Sequence, residues 1–172
     1  MRQYWLNKHV LESQVREAGF QHWTIVRLGH FLQNLKPPVS AITFPGFVKD
    51  RVLRVAWRPE TKLPWVDAAD VGILVAAAVS DTESYSRKEI DFAAEALTVE
   101  QLGAKLSQAL GTDVKVHYLS DEEIEAMIKQ GSPVPAAHRW ANHVPGGDAA
   151  GKVKYLSLTS VDKFLAENAT LI

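Results

Sequence analysis

Apolar positions along this chain follow two alternating periods, one near 3.6 residues and one near two, and that alternation predicts an α/β order. Over Gln3–Ala18, the positions Tyr4, Lys8, Leu11 and Val15 share one face at three- and four-residue spacing, and Gly19 supplies a stop. The stretch therefore predicts an amphipathic helix. Trp23–Arg27 is a short β-branched run and predicts a buried parallel strand. Lys36-Pro37-Pro38 forces irregular chain, because a proline has no N–H to give a ladder. Ile42–Val48 and Arg51–Trp57 predict two extended segments around a Lys-Asp turn.

The run Val66–Val79 carries the strongest pattern. Asp67 and Asp70 fall in its first turn, where negative charge meets the positive end of the helix dipole. The body from Ile73 to Val79 is apolar almost all round, which predicts a buried helix. Ile90–Ala93 predicts a strand. Thr98 and Gln101 are spaced as a capping box for a helix reaching Gly111. Val114–Leu119 alternates as a strand, and Ser120-Asp121-Glu122-Glu123 opens a helix that stops at Gly131. Pro133–Gly151, rich in Pro, Gly and His, predicts a surface loop. Val153–Leu158 predicts a last strand and Ser160–Asn168 a final helix.

Composition narrows the function classes. The chain has 172 residues, 47% of them apolar and 23% charged, which suits one globular domain, or a domain with a lobe. Its net charge of -1 gives no long-range field, so neither nucleic acid nor a membrane surface is an expected partner. With no cysteine there are no disulfides, thiolate metal sites or cysteine nucleophiles. The longest apolar run, Val71–Val79, is too short for a bilayer, and Met1–Trp5 lacks the pattern of a signal or transit peptide. These features lead us to expect a soluble, cytoplasmic protein.

Tyr4 and Lys8 are four residues apart on one helix face. An ammonium beside a phenol favours the phenolate, so such a pair can trade a proton with a carbonyl substrate; an exposed helix pair has the same spacing. Phe31-Leu32-Gln33-Asn34 follows the Trp23–Arg27 strand, and in open α/β sheets ligands sit beyond the carboxyl ends of strands. There Phe31 can stack on a ring and Asn34 can donate and accept, or Phe31 is core and Asn34 closes a local turn. His30 beside them is a candidate substrate contact. No two of the six histidines have the i, i+4 spacing of a zinc pair, and Asp121–Glu123 lacks the alternation of a calcium loop, so no metal is expected. The sequence holds no G-x-G-x-x-G, no nucleophile elbow and no Walker loop.

Together, Tyr4-Trp5-Leu6-Asn7-Lys8, then Trp23–Asn34, then Leu63-Pro64-Trp65-Val66-Asp67-Ala68-Ala69-Asp70-Val71-Gly72, resemble the NmrA-like branch of the atypical short-chain dehydrogenase/reductases. The likeness covers about residues 3 to 130. It implies an α/β fold with a truncated Rossmann-like parallel sheet and a smaller α/β substrate-side lobe. Residues 1–83 would be the C-terminal part of the Rossmann-like domain, and residues 84–172 the lobe with a terminal loop and helix. By the same resemblance Tyr4 is the proton donor, Lys8 tunes it and binds the nicotinamide ribose, and Phe31, Leu32, Gln33 and Asn34 approach the nicotinamide. Leu28 stands where the family usually has proline, and Asp70 caps its helix or pairs with Arg27. The family includes NAD(P)H-dependent reductases and redox-sensing regulators that bind the dinucleotide without turnover.

That family holds the cofactor's pyrophosphate on a glycine-rich loop ahead of a helix. Without one, NAD(P) binding is expected to be weak or absent. Three readings stay open: an NmrA-like reductase, a non-catalytic module that binds a small molecule or a protein, or a reduced fold with new small-molecule chemistry in its cleft. An open edge on the Trp23–Arg27 strand would favour a homo-oligomer or a required partner. Losing several charge-assisted hydrogen bonds, each worth about 1.5–3 kcal/mol, should leave the isolated chain with millimolar or weaker NAD(P) affinity. Titration of cofactor fluorescence checks this, and micromolar binding would contradict it.

Overall fold

The computed structural model describes residues 2–143 and 156–172. Its central unit is a parallel pair, β1 (Thr24–Leu28) beside β5 (Lys88–Phe92), in register from Thr24–Lys88 to Leu28–Phe92. Successive side chains of a strand point to opposite faces, and the two faces here are covered by different means. On the Val26–Ile90 face lies α4 (Ala68–Ser80), whose Leu74 packs into a cluster with Val66, Tyr85 and Phe92. On the Arg27–Glu89 face lies α1 (Arg2–Glu17), which buries no residue at all. Charge holds it there: Glu12 accepts from Arg27 at 2.6 and 2.8 Å, and Glu89 accepts from Arg27 at 2.6 Å and from Arg16 at 2.7 Å. This shared pairing holds the Glu89 carboxyl down to about 2 and the Glu12 carboxyl below its usual value.

At Gly29 the chain changes sheets. The Gly29 N–H donates to the Phe92 carbonyl at 3.0 Å, closing the β1–β5 ladder. The next two residues, β2 (His30–Phe31), pair in parallel with Trp65 and Val66 of β4 (Leu63–Val66). On its other side β4 pairs antiparallel with β6 (Glu95–Leu97). The crossing is tight enough to demand glycine, since a Cβ here would stand 2.6 Å from the Pro64 carbonyl oxygen.

A second parallel pair, β3 (Val52–Val55) with β7 (Lys115–Tyr118), packs on α6 (Val99–Leu110) and α9 (Val161–Asn168) around Leu53, Val55, Leu102, Leu106 and Phe164. The predicted capping box is present, Thr98 with Gln101 on α6, and the predicted cap at Ser120 forms a second box with Glu123 on α7 (Asp121–Lys129). Gly111 ends α6 in the left-handed conformation that glycine adopts without strain. The pairs β1–β5 and β3–β7 each join a strand before residue 83 to one after it, so the layers interleave along the sequence.

Several expectations need correction. The helix over Val66–Val79 forms, but it is not buried all round: Ile73, Val75 and Val79 are 47, 50 and 73% exposed, because only one of its faces meets a sheet. The Trp23–Arg27 strand is half open for a related reason, having one strand neighbour among the described residues. Ile42–Val48 is not extended. Ser40–Thr43 and Phe47–Asp50 form the short helices α2 and α3, with Phe44 and Phe47 turned into the core. Residues 134–141 of the predicted loop are helix α8 (Val134–Ala141), with a proline in its first turn, where a missing N–H costs nothing. The rest of that loop from residue 144, and residues 153–155 of the predicted last strand, lie outside the described residues; Leu156–Leu158 is not strand. Asp70 does not meet Arg27. It accepts from the N–H and hydroxyl of Thr159 at 2.8 and 3.0 Å.

Two glycine replacements should separate steric need from propensity. Gly29→Ala places its Cβ against backbone and is expected to destabilise by about 1–3 kcal/mol or more. At Gly72, in α4, a Cβ meets nothing within 4 Å. Gly72→Ala should therefore stabilise by about 0.5–1 kcal/mol through helix propensity. Denaturant unfolding of both variants measures the contrast, and equal effects would contradict the crossing constraint.

Candidate functional site

Because Gly29 swings the chain from one sheet to the other, His30 arrives between two tryptophans. Its ring lies 5.5 Å from Trp65, its register partner on β4, and 6.2 Å from Trp57, just past the end of β3. Trp57 in turn faces His138 of α8, ring centroids 4.0 Å apart. Both tryptophans are buried, and their indole N–H donors find no acceptor among the described residues. Such donors each cost about 1–3 kcal/mol when left unmade.

The two histidines differ. His138 is buried, and its Nδ1 accepts the Ala56 N–H at 3.1 Å, so in the neutral ring the proton sits on Nε2. Burial, with a smaller contribution from nearby His30, pushes its pKa down to about 3. His30 is exposed, with the two indoles near its ring, and the water that its neighbours exclude also lowers its pKa. Beside this cluster, at the carboxyl ends of β3 and β7, opens a cavity of about 350 Å³ lined by Trp57, Arg58, Leu119, Arg139 and Asn142, among others. Asn142 fixes its floor by accepting from the Arg58 N–H and the Thr61 hydroxyl and donating to the Ala56 carbonyl.

The residues expected at the site are not all brought together. Lys8 sits with its Nζ 5.4 Å over the Tyr4 ring, and both belong to an outer group in which Trp5 stacks on Trp140 at 5.8 Å. Trp140 and His138 are two residues apart on α8, hence about 200° apart around it. The helix therefore stands between Trp5 and Trp57. Leu32 is fully buried, and Phe31 packs against Val66, Leu74 and Phe92. Gln33 is committed to the start of α4, donating to Asp67 at 2.7 Å and accepting the Ala68 N–H at 3.2 Å. Asn34 keeps its side-chain amide, and that group alone suits a nicotinamide carboxamide.

Nothing in the turn suits a diphosphate. Lys36, the nearest cation in sequence, donates to Asn168. Among the described residues no His, Asp and Glu group converges as metal ligands, and no helix is long and apolar enough to cross a membrane. Sequence reasoning singled out His30 but not Trp57, Trp65 or His138, which surround it only in the fold.

Comparison with known proteins places this geometry in a family. Residues 1–160 match the model of the NmrA-like family. An NAD(P)H azoreductase from Xenophilus azovorans is 29% identical over 132 residues, spanning 75% of this chain and 42% of that protein. Among solved structures, NmrA, a negative transcriptional regulator in complex with NAD, superposes with a TM-score of 0.65 at 20% identity, over 93% of this chain and 56% of its own. The triphenylmethane reductase of Citrobacter sp. gives 0.64 at 20% identity, over 92% and 56%. These likenesses show a Rossmann-type α/β fold, and the chain spans about half the length of the relatives it matches.

The folded-state pKa of His138 lies below its unfolded value, so the unfolded chain takes the proton first. Stability should be full above about pH 6.5 and fall towards pH 3, by up to about 3 kcal/mol at pH 4.5 from this group. His138→Gln, which keeps an acceptor for Ala56, should flatten the pH 6.5–4.5 limb of the thermal unfolding profile. An unchanged limb would contradict the burial argument.

Proposed function

This chain belongs to the NmrA-like family, and from that premise we propose that it forms the substrate-side portion of an NAD(P)H-dependent reductase, with little hold on the cofactor by itself. The observation that carries this reading is the aromatic wall around His30, directly beyond the end of β1. There the buried Trp57 and Trp65 back the ring of His30, which is itself exposed. A flat conjugated molecule can lie against the exposed imidazole of His30. The names of the relatives agree with such a substrate, since one reduces azo compounds and another triphenylmethane dyes. In this reading His30 orients the substrate, Asn34 meets the nicotinamide end, Tyr4 supplies the proton, and Lys8 sustains its charge.

A second reading, a regulatory module without turnover, draws on a specific observation. Gln33 and Leu32 are spent on the fold, and Trp5, beside Tyr4, is stacked on Trp140 of α8. A solved relative described as a negative transcriptional regulator is consistent with it.

Substrate binding can be tested without cofactor. Azo and triphenylmethane dyes titrated into the full chain should quench tryptophan fluorescence. His30→Ala should weaken binding about tenfold while leaving the circular dichroism unchanged. Absence of dye binding would favour the regulatory reading.

A further inference from the structure

The cavity at the carboxyl ends of β3 and β7 takes no part in the wall at His30, and its frame is fixed by backbone. β3 ends at Val55, whose carbonyl accepts the Leu119 N–H at 2.8 Å, and beyond that bond the two chains part. One runs through Ala56 and Trp57 into a turn closed by the Thr61 N–H on the Arg58 carbonyl at 3.0 Å. The other passes Ser120 into α7. Helix α8 and its cap Asn142 bridge the gap. His138 accepts the Ala56 N–H and the Asn142 amide donates to the Ala56 carbonyl, both at 3.1 Å. The Asn142 side-chain oxygen accepts from the Arg58 N–H at 2.9 Å and the Thr61 hydroxyl at 2.7 Å. Four bonds thus tie the turn to α8 and hold the walls of the space, about 350 Å³, at a set spacing.

The lining is of two kinds. Trp57, Leu119 and Ile124 supply apolar surface, and Arg58 and Arg139 supply two guanidiniums. Arg139 donates through one nitrogen to Asp121 at 2.5 Å, which leaves most of its five N–H donors unused by that carboxylate. Asp121 is 82% exposed, and an ion pair in that much water is given up at little cost. Arg58 is exposed and enters no ion pair among the described residues. Two guanidiniums against the one carboxylate of Asp121 leave the lining with one net positive charge.

That balance selects the ligand. A monoanion neutralises the lining, whereas a phosphate dianion overshoots it and meets Asp121 as a like charge. A guanidinium fork matches the plane of a carboxylate. The apolar surface beside it suits an apolar body next to the acid, and the volume lies at the small end of ligand sites, which run from about 300 to 1,000 Å³. We propose that this cavity binds a small monocarboxylic acid, its carboxylate held by Arg58 and Arg139 and its body against Trp57, Leu119 and Ile124. The inference goes beyond the reductase reading and does not depend on it. His30 does not line the cavity and meets its wall at Trp57, ring centroids 6.2 Å apart.

Isothermal titration of the full chain with benzoate tests the site. Benzoate should bind with a Kd of about 1 mM or below. Benzyl alcohol, which keeps the ring without the charge, and inorganic phosphate should each bind at least about tenfold more weakly. Arg58→Gln should weaken benzoate by at least about tenfold and leave the circular dichroism and thermal midpoint unchanged, because its side chain enters no ion pair. Arg139→Gln should weaken it to a similar degree. Asp121→Asn removes the one carboxylate of the lining, so it should tighten benzoate and bring phosphate up by at least about tenfold. His30→Ala should leave benzoate binding as it was. No heat from benzoate at about 10 mM, tenfold above the expected Kd, would overturn the proposal. So would equal affinity in Arg58→Gln, or a phosphate affinity that Asp121→Asn does not move. Loss of benzoate binding in His30→Ala, with binding kept in both arginine variants, would also overturn it and would put the acid on the dye wall. None of these failures touches the dye reading, which is checked separately by quenching at His30.

Discussion

One atom's absence organises this molecule. At Gly29 the chain must close the β1–β5 ladder with its N–H and, one residue later, enter the β2–β4 pair, with the Pro64 carbonyl where a side chain would stand. The two sheets are thereby joined at van der Waals distance, with no linker that could let them slide. His30 inherits its position from that joint. It reaches Trp65 because the register of β2 on β4 is set one residue earlier, and Trp57 because β3 ends on the same side. The site is rigid on its strand side before any ligand arrives.

The two helices that sandwich β1–β5 are attached by opposite means. α4 anchors one apolar side chain, Leu74, and a buried carboxylate, Asp70, and leaves much of its apolar surface outward. α1 contributes no buried residue and is held by Glu12 and Arg16 against Arg27 and Glu89, which are partly exposed. Ion pairs in water are worth little singly, and a network of four residues is stronger mainly because each charge meets two partners. Such an attachment fixes orientation while demanding little apolar contact. It suits a helix whose tyrosine, tryptophan and leucine side chains face away from the sheet.

What could be read from sequence follows how local its cause is. The capping box at Thr98 and the cap at Ser120 depend on residues three apart, and both were legible. The helix after Asp67 was legible as a helix, but its burial was not, because a run of apolar residues does not say what packs against it. Ile42-Thr43-Phe44 looked extended from its β-branched and aromatic residues; Gly46, at a φ of +80°, and the burial of Phe44 and Phe47 turn it into helical turns instead. β4 was hidden by Pro64, a residue that argues against a strand. At the site, His30 could be found from its place after a strand. Trp57, Trp65 and His138 come from separate elements, and only the fold brings them together. The partners of Gln33, Asp67 and Ala68, lie more than thirty residues away, so its contacts at the start of α4 were not legible either.

Asp70 carries a consequence for anyone who shortens or tags this polypeptide. Its carboxylate, 1% exposed, has both oxygens satisfied by Thr159, eighty-nine positions downstream. Clipping ahead of Thr159 would remove the final helix and also strand an anion at the root of α4, a loss far greater than the excised contacts alone. The carboxyl-terminal segment therefore behaves as a latch on the nucleus of the fold, and extensions belong after Ile172 while deletions before it do not.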